Sequence, residues 1–192
     1  MELAARTAAW GLVKSEDFQG IIIRMVGVPA GKTFDVGRIN VRADTTMSWD
    51  WGDGTVVPGL TTAPAPHTYQ LAGNYEIKIA GMITSLGGPL SDNHGFLNSY
   101  HYDASDGNDC MVSFECIGLD GIFNGFLQSA FYKCANLISA IYPLTVRTLG
   151  ASLFRGCESL REAVIPSSAQ VSSAAAPNCF SGCTGLRRIV CY

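Results

Sequence analysis

One eight-residue pattern recurs three times in the second half of the chain and constrains the fold more than any other feature. Segments 130–137, 153–160 and 179–186 each carry Phe at the second position, Cys at the fifth and Leu at the eighth. Repeats of about 20–29 residues are typical of solenoids, in which every unit adds one coil to a shared core; the Phe residues here lie 23 and then 26 residues apart. We therefore expect three buried columns, formed by Phe131, Phe154 and Phe180, by Cys134, Cys157 and Cys183, and by Leu137, Leu160 and Leu186.

The repeat continues beyond the Leu column. A β-branched residue follows each Leu by four positions, and Pro stands two positions later in the first two units. These residues are Ile141, Val164, Val190, Pro143 and Pro166. The unit resembles the BspA-type leucine-rich repeats of bacterial surface adhesins, which read A-F-x-x-C-x-x-L-x-x-I-x-I-P. The resemblance implies a short solenoid over residues 82–192, with 82–125 as a degenerate N-terminal cap, and a general binding scaffold.

The first half has no such repeat and is typical of short strands separated by turns. Residues 21–26 are rich in β-branched side chains, and residues 75–79 alternate apolar and polar side chains. A period of two is typical of a strand with one buried face. The Asp-Gly step at 53–54 is a hairpin-turn signal. We predict a mostly-β protein with a small antiparallel sandwich over residues 20–81, preceded by an N-terminal arm over 1–19.

Three motifs stand in order in this half: Trp-Asp-Trp-Gly-Asp-Gly at 49–54, His-Thr-Tyr at 67–69 and Gly-Asn-Tyr at 73–75. Together they resemble the polycystic-kidney-disease (PKD) domain, with Trp51 where that family has Phe. The resemblance implies an immunoglobulin-like β-sandwich, used as a spacer or adhesive module, with both Trp side chains in its core. We expect the Asp residues to bond local backbone amides and the His to stabilise a turn. The structural residues predicted here are Trp49, Asp50, Trp51, Asp53, His67, Tyr69 and Tyr75.

Composition and charge argue against two classes of partner. Lys plus Arg total 13 against 16 Asp plus Glu, a net charge of −3, whereas a nucleic-acid-binding domain is usually basic. No apolar run approaches the roughly 18 residues that a membrane-spanning helix needs. The first residues include an acid where a secretory signal has bases, so we expect a protein made in the cytoplasm. We expect neither a nucleic-acid partner nor a membrane partner.

The cysteines favour packing over metal binding. All seven lie in the second half, three share one repeat column, and no C-x-x-C pair occurs. We therefore expect buried, reduced thiols and no zinc site, with Cys110–Cys116 and Cys179–Cys183 left open as alternative disulfides. The acidic loop 103–109 invites a calcium site, but its spacing differs from the EF-hand loop, so we expect a bare acidic loop. We expect no metal and no cofactor.

Two features point to contact surfaces. The polar-flanked segment Tyr100, His101, Tyr102 and Asp103 is our preferred contact loop for a protein or glycan. Charge is also unevenly distributed, because residues 79–132 carry six acids and no Lys or Arg, whereas residues 133–192 carry six bases and two acids. Opposed charges could drive head-to-tail self-association or assembly into a larger particle. The alternative is ordinary solvated charge.

Catalytic motifs are absent from the sequence. The three His include no H-E-x-x-H, and no G-x-S-x-G elbow occurs. We predict a non-enzymatic structural or binding module. Its first expected setting is a phage-type virion, as a capsid decoration or tail-fibre protein made in the host cytoplasm, and the alternative is a bacterial cell-surface adhesin. The third hypothesis is a glycan hydrolase, whose mark would be two carboxylates about 5–10 Å apart in a cleft.

Overall fold

The structure is a computed structural model that describes residues 18–87, 96–99, 108–126, 128–171 and 178–192. Within these ranges the regular elements are β-strands, which confirms the mostly-β prediction. In chain order they are β1 (Gly20–Val28), β2 (Thr33–Val36), β3 (Arg38–Val41), β4 (Met47–Asp50), β5 (Val56–Leu60), β6 (His67–Thr68), β7 (Gly73–Ala80), β8 (Ile83–Gly87), β9 (Leu97–Ser99), β10 (Met111–Ile117), β11 (Gly125–Phe126), β12 (Ser139–Ile141), β13 (Thr148–Leu149), β14 (Glu162–Ile165), β15 (Gln170–Val171) and β16 (Arg188–Cys191).

The largest sheet has six strands in the order β12-β10-β1-β7-β4-β5. Its N-terminal strands pair antiparallel, with β1 between β7 and β10. Ile21 and Ile23 of β1 are fully buried, whereas Arg24 reaches the surface and pairs with Glu76 on β7 at 2.9 Å. Strands β2, β6 and β9 form a separate three-stranded sheet. In β2 and β4, buried side chains alternate with more exposed ones, so a one-residue slip would expose the apolar face of either strand.

The β4–β5 hairpin forms where the Asp-Gly step predicts a turn. Gly52 has a φ of +79°, and a Cβ there would lie 2.6 Å from the carbonyl oxygen of Glu76 on β7. The turn therefore needs glycine both for its left-handed backbone and for its close approach to the neighbouring strand.

The repeats form two parallel ladders. One ladder runs β8-β11-β13-β15, and the other contains the pairs β10-β12 and β14-β16. No sheet pairing joins β12 to β14 in the described residues; there the Tyr142 hydroxyl donates a hydrogen bond to the Val164 carbonyl. The rungs approach closely at Gly125, where a Cβ would lie 2.1 Å from the carbonyl oxygen of Thr148.

Each ladder begins on an antiparallel strand from the N-terminal segment. Strand β1 pairs with β10 over six residue pairs, from Gly20–Ile117 to Met25–Met111, and β3 pairs with β8. Strands of the predicted sandwich and of the predicted solenoid therefore share sheets across residues 81 and 82. Antiparallel pairing also closes the first edge of each ladder, which a solenoid otherwise leaves open.

One hydrophobic cluster contains buried side chains from both halves, from Ile21 on β1 to Cys179 in the last coil. The described residues include no helix long and apolar enough to cross a membrane.

Candidate functional site

The predicted contact loop of Tyr100, His101, Tyr102 and Asp103 lies outside the described residues. Of the acidic loop 103–109, the structure describes Asn108 and Asp109. Asn108 is fully buried, and its Oδ1 accepts hydrogen bonds from the amides of Cys110 (3.1 Å) and Met111 (3.0 Å). It therefore closes the turn that leads into β10. No group of three or more metal-ligating side chains occurs among the described residues.

The aromatic residues of the N-terminal motifs pack against one another. Trp49 and Trp51 are both buried, with ring centroids 5.1 Å apart, and Trp51 stacks on His67 at 4.6 Å. Tyr69 is buried, stacks on Tyr75 at 4.1 Å, and donates its hydroxyl hydrogen to the Trp51 carbonyl at 2.8 Å. These side chains pack together in the interior and do not line a binding cleft, although the buried indole N–H of Trp49 has no hydrogen-bond partner among the described residues.

The polar side chains of the same motifs hold the β4–β5 turn. Asp50 accepts a hydrogen bond from the Gly52 amide at 2.8 Å, and Asp53 accepts one from the Thr55 amide at 2.9 Å. The second carboxylate oxygen of Asp53 lies 2.7 Å from Nε2 of His67. Burial raises the pKa of Asp53, but the Thr55 amide and the neighbouring His67 outweigh it, and the pKa ends below its ordinary value. Both carboxylates and the imidazole are thus engaged in the turn.

The three repeated Phe side chains stack along the solenoid. Phe131 and Phe154 have ring centroids 5.3 Å apart and an interplanar angle of 10°, and Phe154 and Phe180 are 5.8 Å apart at 11°. Phe131 and Phe154 are buried, whereas Phe180 in the last coil is partly exposed. Burial along this column therefore decreases toward the C-terminal coil.

The repeated Cys side chains link successive coils. The Cys157 thiol donates to the Phe131 carbonyl at 3.0 Å, and the Cys183 thiol donates to the Phe154 carbonyl at 2.9 Å. Burial raises the pKa of Cys134 to about 12 and raises the pKa of Cys157 and of Cys183. A neutral thiol is a weak nucleophile and a poor metal ligand, so this column contributes packing and weak hydrogen bonds.

The Leu column follows the same gradient, since Leu137 and Leu160 are fully buried and Leu186 is partly buried. All seven cysteines of the chain lie in the described residues, and each is a free thiol.

An open concavity of about 400 Å³ lies on the last three coils, and most of its lining residues belong to the last two. Its lining residues include two arginines, Arg161 and Arg187, two residues with hydroxyl side chains, Ser159 and Thr184, and Gly185. A Cβ at position 185 would lie 2.4 Å from the carbonyl oxygen of Glu158, so glycine permits the close approach of these two coils. Ile138 and Leu186 complete the lining with apolar surface.

The two arginines of this concavity differ from their neighbours in charge pairing. Arg188 forms an ion pair with Glu162, with Nε and Oε2 2.7 Å apart, and the Arg155 guanidinium lies 5.7 Å from the ring centroid of Tyr132. Arg161 and Arg187 are exposed, and neither takes part in an ion pair among the described residues. The concavity therefore carries two exposed arginines that have no ion-pair partner among the described residues.

These two arginines are among the six bases of residues 133–192, but the charge distribution along the sequence does not predict that they lie side by side. The signal was present in the repeat alignment, because each directly follows a Leu of the third column, Leu160 or Leu186. Equivalent positions of adjacent coils lie side by side in a solenoid. The repeat alignment that predicts the buried columns therefore also predicts which surface residues of adjacent coils lie side by side.

The comparisons with known proteins agree with this geometry. Residues 110–191 match the family described as BspA type leucine-rich repeat region, in six copies. This match confirms the predicted leucine-rich repeats, whereas no family match confirms the PKD resemblance of residues 20–81. Searches of the curated proteins and of the solved structures find no match for the chain.

Proposed function

We propose, starting from the BspA-type leucine-rich repeats of residues 110–191, that the chain is a non-enzymatic module that binds a partner protein through the outer surface of its solenoid. Leucine-rich-repeat modules generally mediate protein binding. The observation that carries the proposal is the stacked Phe, Cys and Leu columns, which commit the repeated side chains to the interior. The outer positions of the same coils remain available for contacts.

The N-terminal segment supports this function by closing one end of the solenoid. In the proposal, residues 20–81 act as a PKD-like cap that supplies β1 and β3 to the two ladders. Their aromatic cluster packs the cap into the core that both halves share, while Asp50 and Asp53 hold its turn. The carboxylates of this turn therefore have structural partners, which is why we favour a binding module over a glycan hydrolase. Release of reducing sugar from glycans by the purified chain, lost in the Asp53→Asn variant, would overturn this choice.

Two settings are compatible with such a module. Repeats of the BspA type are often related to cell-surface adhesion, which favours a bacterial surface adhesin. The seven free thiols and the opposed charges of residues 79–132 and 133–192 favour assembly in a reducing cytoplasm into a phage-type virion. Gold-labelled antibodies against the chain separate the two under the electron microscope. Label on phage particles supports the virion, label on intact bacterial cells supports the adhesin, and label on neither overturns both settings.

Photo-crosslinking tests the binding surface itself. A photoreactive amino acid replaces Ile138, 44% exposed in the solenoid, or Leu71, 75% exposed in the N-terminal segment as a control. The proposal predicts a discrete protein adduct from position 138 and none from position 71, in cells or particles that contain the chain. Adducts of equal yield from both positions, or an adduct only from position 71, would contradict it.

A further inference from the structure

The two arginines of the concavity can donate hydrogen bonds, and no acidic side chain of the described residues forms an ion pair with them. Each guanidinium has five N–H donors and no acceptor, and it stays charged at every physiological pH. Arg161 and Arg187 lack ion pairs among the described residues, while Ser159 and Thr184 add hydroxyl groups to the same lining. The complementary ligand group is an anion, and a carboxylate is one that fits, because its two oxygens match the planar fork of a guanidinium.

The spacing of the two arginines suits an extended peptide. The Arg187 amide donates to the Arg161 carbonyl at 2.9 Å, so the two residues lie on directly adjacent coils. Adjacent rungs of a β-ladder are about 4.8 Å apart, and side chains two residues apart on an extended peptide are separated by about 6.6 Å. Long, exposed arginine side chains can bridge this small difference, so each guanidinium can reach one of two such carboxylates.

The rest of the lining favours a peptide over a sugar chain. Ile138, 44% exposed, and Leu186 provide apolar surface beside the charges. The lining residues include no aromatic side chain on which a sugar ring could stack. We infer that this concavity binds an acidic segment of a partner protein, with carboxylates at alternate positions. The inference rests on the proposed binding function and adds the chemical class of the partner.

Fluorescence anisotropy with a labelled peptide tests the inference. The probe is an extended eight-residue peptide with Glu at alternate positions, and its matched partner has Gln at those positions. The variant Arg161→Gln plus Arg187→Gln removes both guanidinium groups. The control variant Arg42→Gln plus Arg147→Gln removes the same number of charges from exposed positions that do not line the concavity. Circular dichroism establishes that both variants remain folded.

We expect the first variant to bind the Glu peptide at least about tenfold more weakly, and the control variant to stay within about twofold of the parent chain. The affinity should fall as salt is added, because exposed charges are screened. Equal affinity for the Glu and Gln peptides, or equal losses in both variants, would overturn the inference. Tighter binding of a sulfated oligosaccharide than of the Glu peptide would also overturn it and assign the site to a glycan.

The failure of this inference is distinguishable from failure of the proposed function. If the variant lacking Arg161 and Arg187 still forms the adduct from position 138, the binding module stands and the acidic segment is wrong. If no adduct forms from position 138 in the parent chain, the binding function itself fails, whatever the peptide does.

Discussion

The aromatic cluster beside the β4–β5 turn and the Phe column of the repeats are both buried, but they are built in different ways. In the cluster, Trp51 contacts Trp49 of its own motif and His67 and Tyr69 of the His-Thr-Tyr motif. In the column, Phe154 stacks on the equivalent Phe of the coil before it and of the coil after it. The aromatic cluster therefore depends on contacts that occur once in the chain. The Phe column depends on one contact that successive repeats make again.

This difference explains why the two ends of the solenoid differ. The aperiodic segment supplies β1 and β3, which close the first edge of each ladder. The last coil continues the pattern, so β15 and β16 have a neighbouring strand on one side only within the described residues. Burial of the Phe and Leu columns decreases toward that end. The solenoid is therefore closed at its N-terminal end and open at its C-terminal end.

The largest effect is expected from Trp51→Ala. The indole is 1% exposed, and loss of a buried aromatic side chain costs about 3–5 kcal/mol of the free energy of unfolding. Because one cluster joins both halves, we expect urea to unfold residues 20–192 in a single transition at a lower midpoint. The control Leu71→Ala, at a side chain 75% exposed, should change stability by less than about 0.5 kcal/mol. A variant in which the repeats unfold unchanged while the N-terminal segment melts separately would contradict the shared core.

A pair of Phe variants tests the gradient along the repeats. Phe154→Ala removes a ring that is 2% exposed and should cost about 3–5 kcal/mol, measured by urea unfolding. Phe180→Ala removes a partly exposed ring from the last coil and should cost about 1–2 kcal/mol, because less of the ring leaves water on folding. Equal costs at the two positions would show that the terminal coil is as well packed as the interior one.

A smaller effect is expected in the Cys column. Cys157→Ser replaces a buried thiol by a more polar hydroxyl, which can keep the hydrogen bond to Phe131 but is costlier to bury. We expect a loss of about 1–2 kcal/mol in thermal or urea unfolding, and less than about 0.5 kcal/mol for Cys191→Ser at an exposed position. If both substitutions are neutral, the thiol column does not contribute to packing.

The smallest effect is expected from Asp53→Asn in the N-terminal turn. The pKa of Asp53 is lowered in the folded chain, so its carboxylate stabilises the fold above the ordinary value of 3.8, and this stabilisation is lost as the pH falls through the folded value. At pH 7 the variant should lose about 0.5–1 kcal/mol, as is usual for a partly exposed pair. The difference from the parent chain should shrink below pH 3.8. An unchanged difference at low pH, or an equal loss in the control Asp35→Asn, would contradict this role.

Much of the repeat architecture could be predicted from the sequence because its contacts are periodic. The spacing of Phe131, Phe154 and Phe180 identified residues that stack, and the Asp-Gly step marked the β4–β5 turn. The preferred contact loop at 100–103 lies outside the described residues, so it stays a prediction.

Two features could not be predicted because no local pattern encodes them. The pairing of β1 with β10 joins residues about 90 positions apart. The sequence of each strand predicts an apolar strand but does not indicate which strand it pairs with. The concavity depends on side chains of successive coils that meet only after the core register is fixed. The sequence shows that Arg161 and Arg187 are positively charged. Only the folded structure shows that neither forms an ion pair among the described residues.

Hydrogen exchange followed by mass spectrometry tests the central claim most directly, because protection reports the stability of each strand. If the N-terminal segment closes the solenoid and the last coil is open, amides of β1, β7 and β10 exchange slowly and together. Protection then decreases from β12 through β14 to β16. Slow exchange in β16, or exchange of β1 and β10 at unrelated rates, would contradict a solenoid that is closed at its N-terminal end and open at the other.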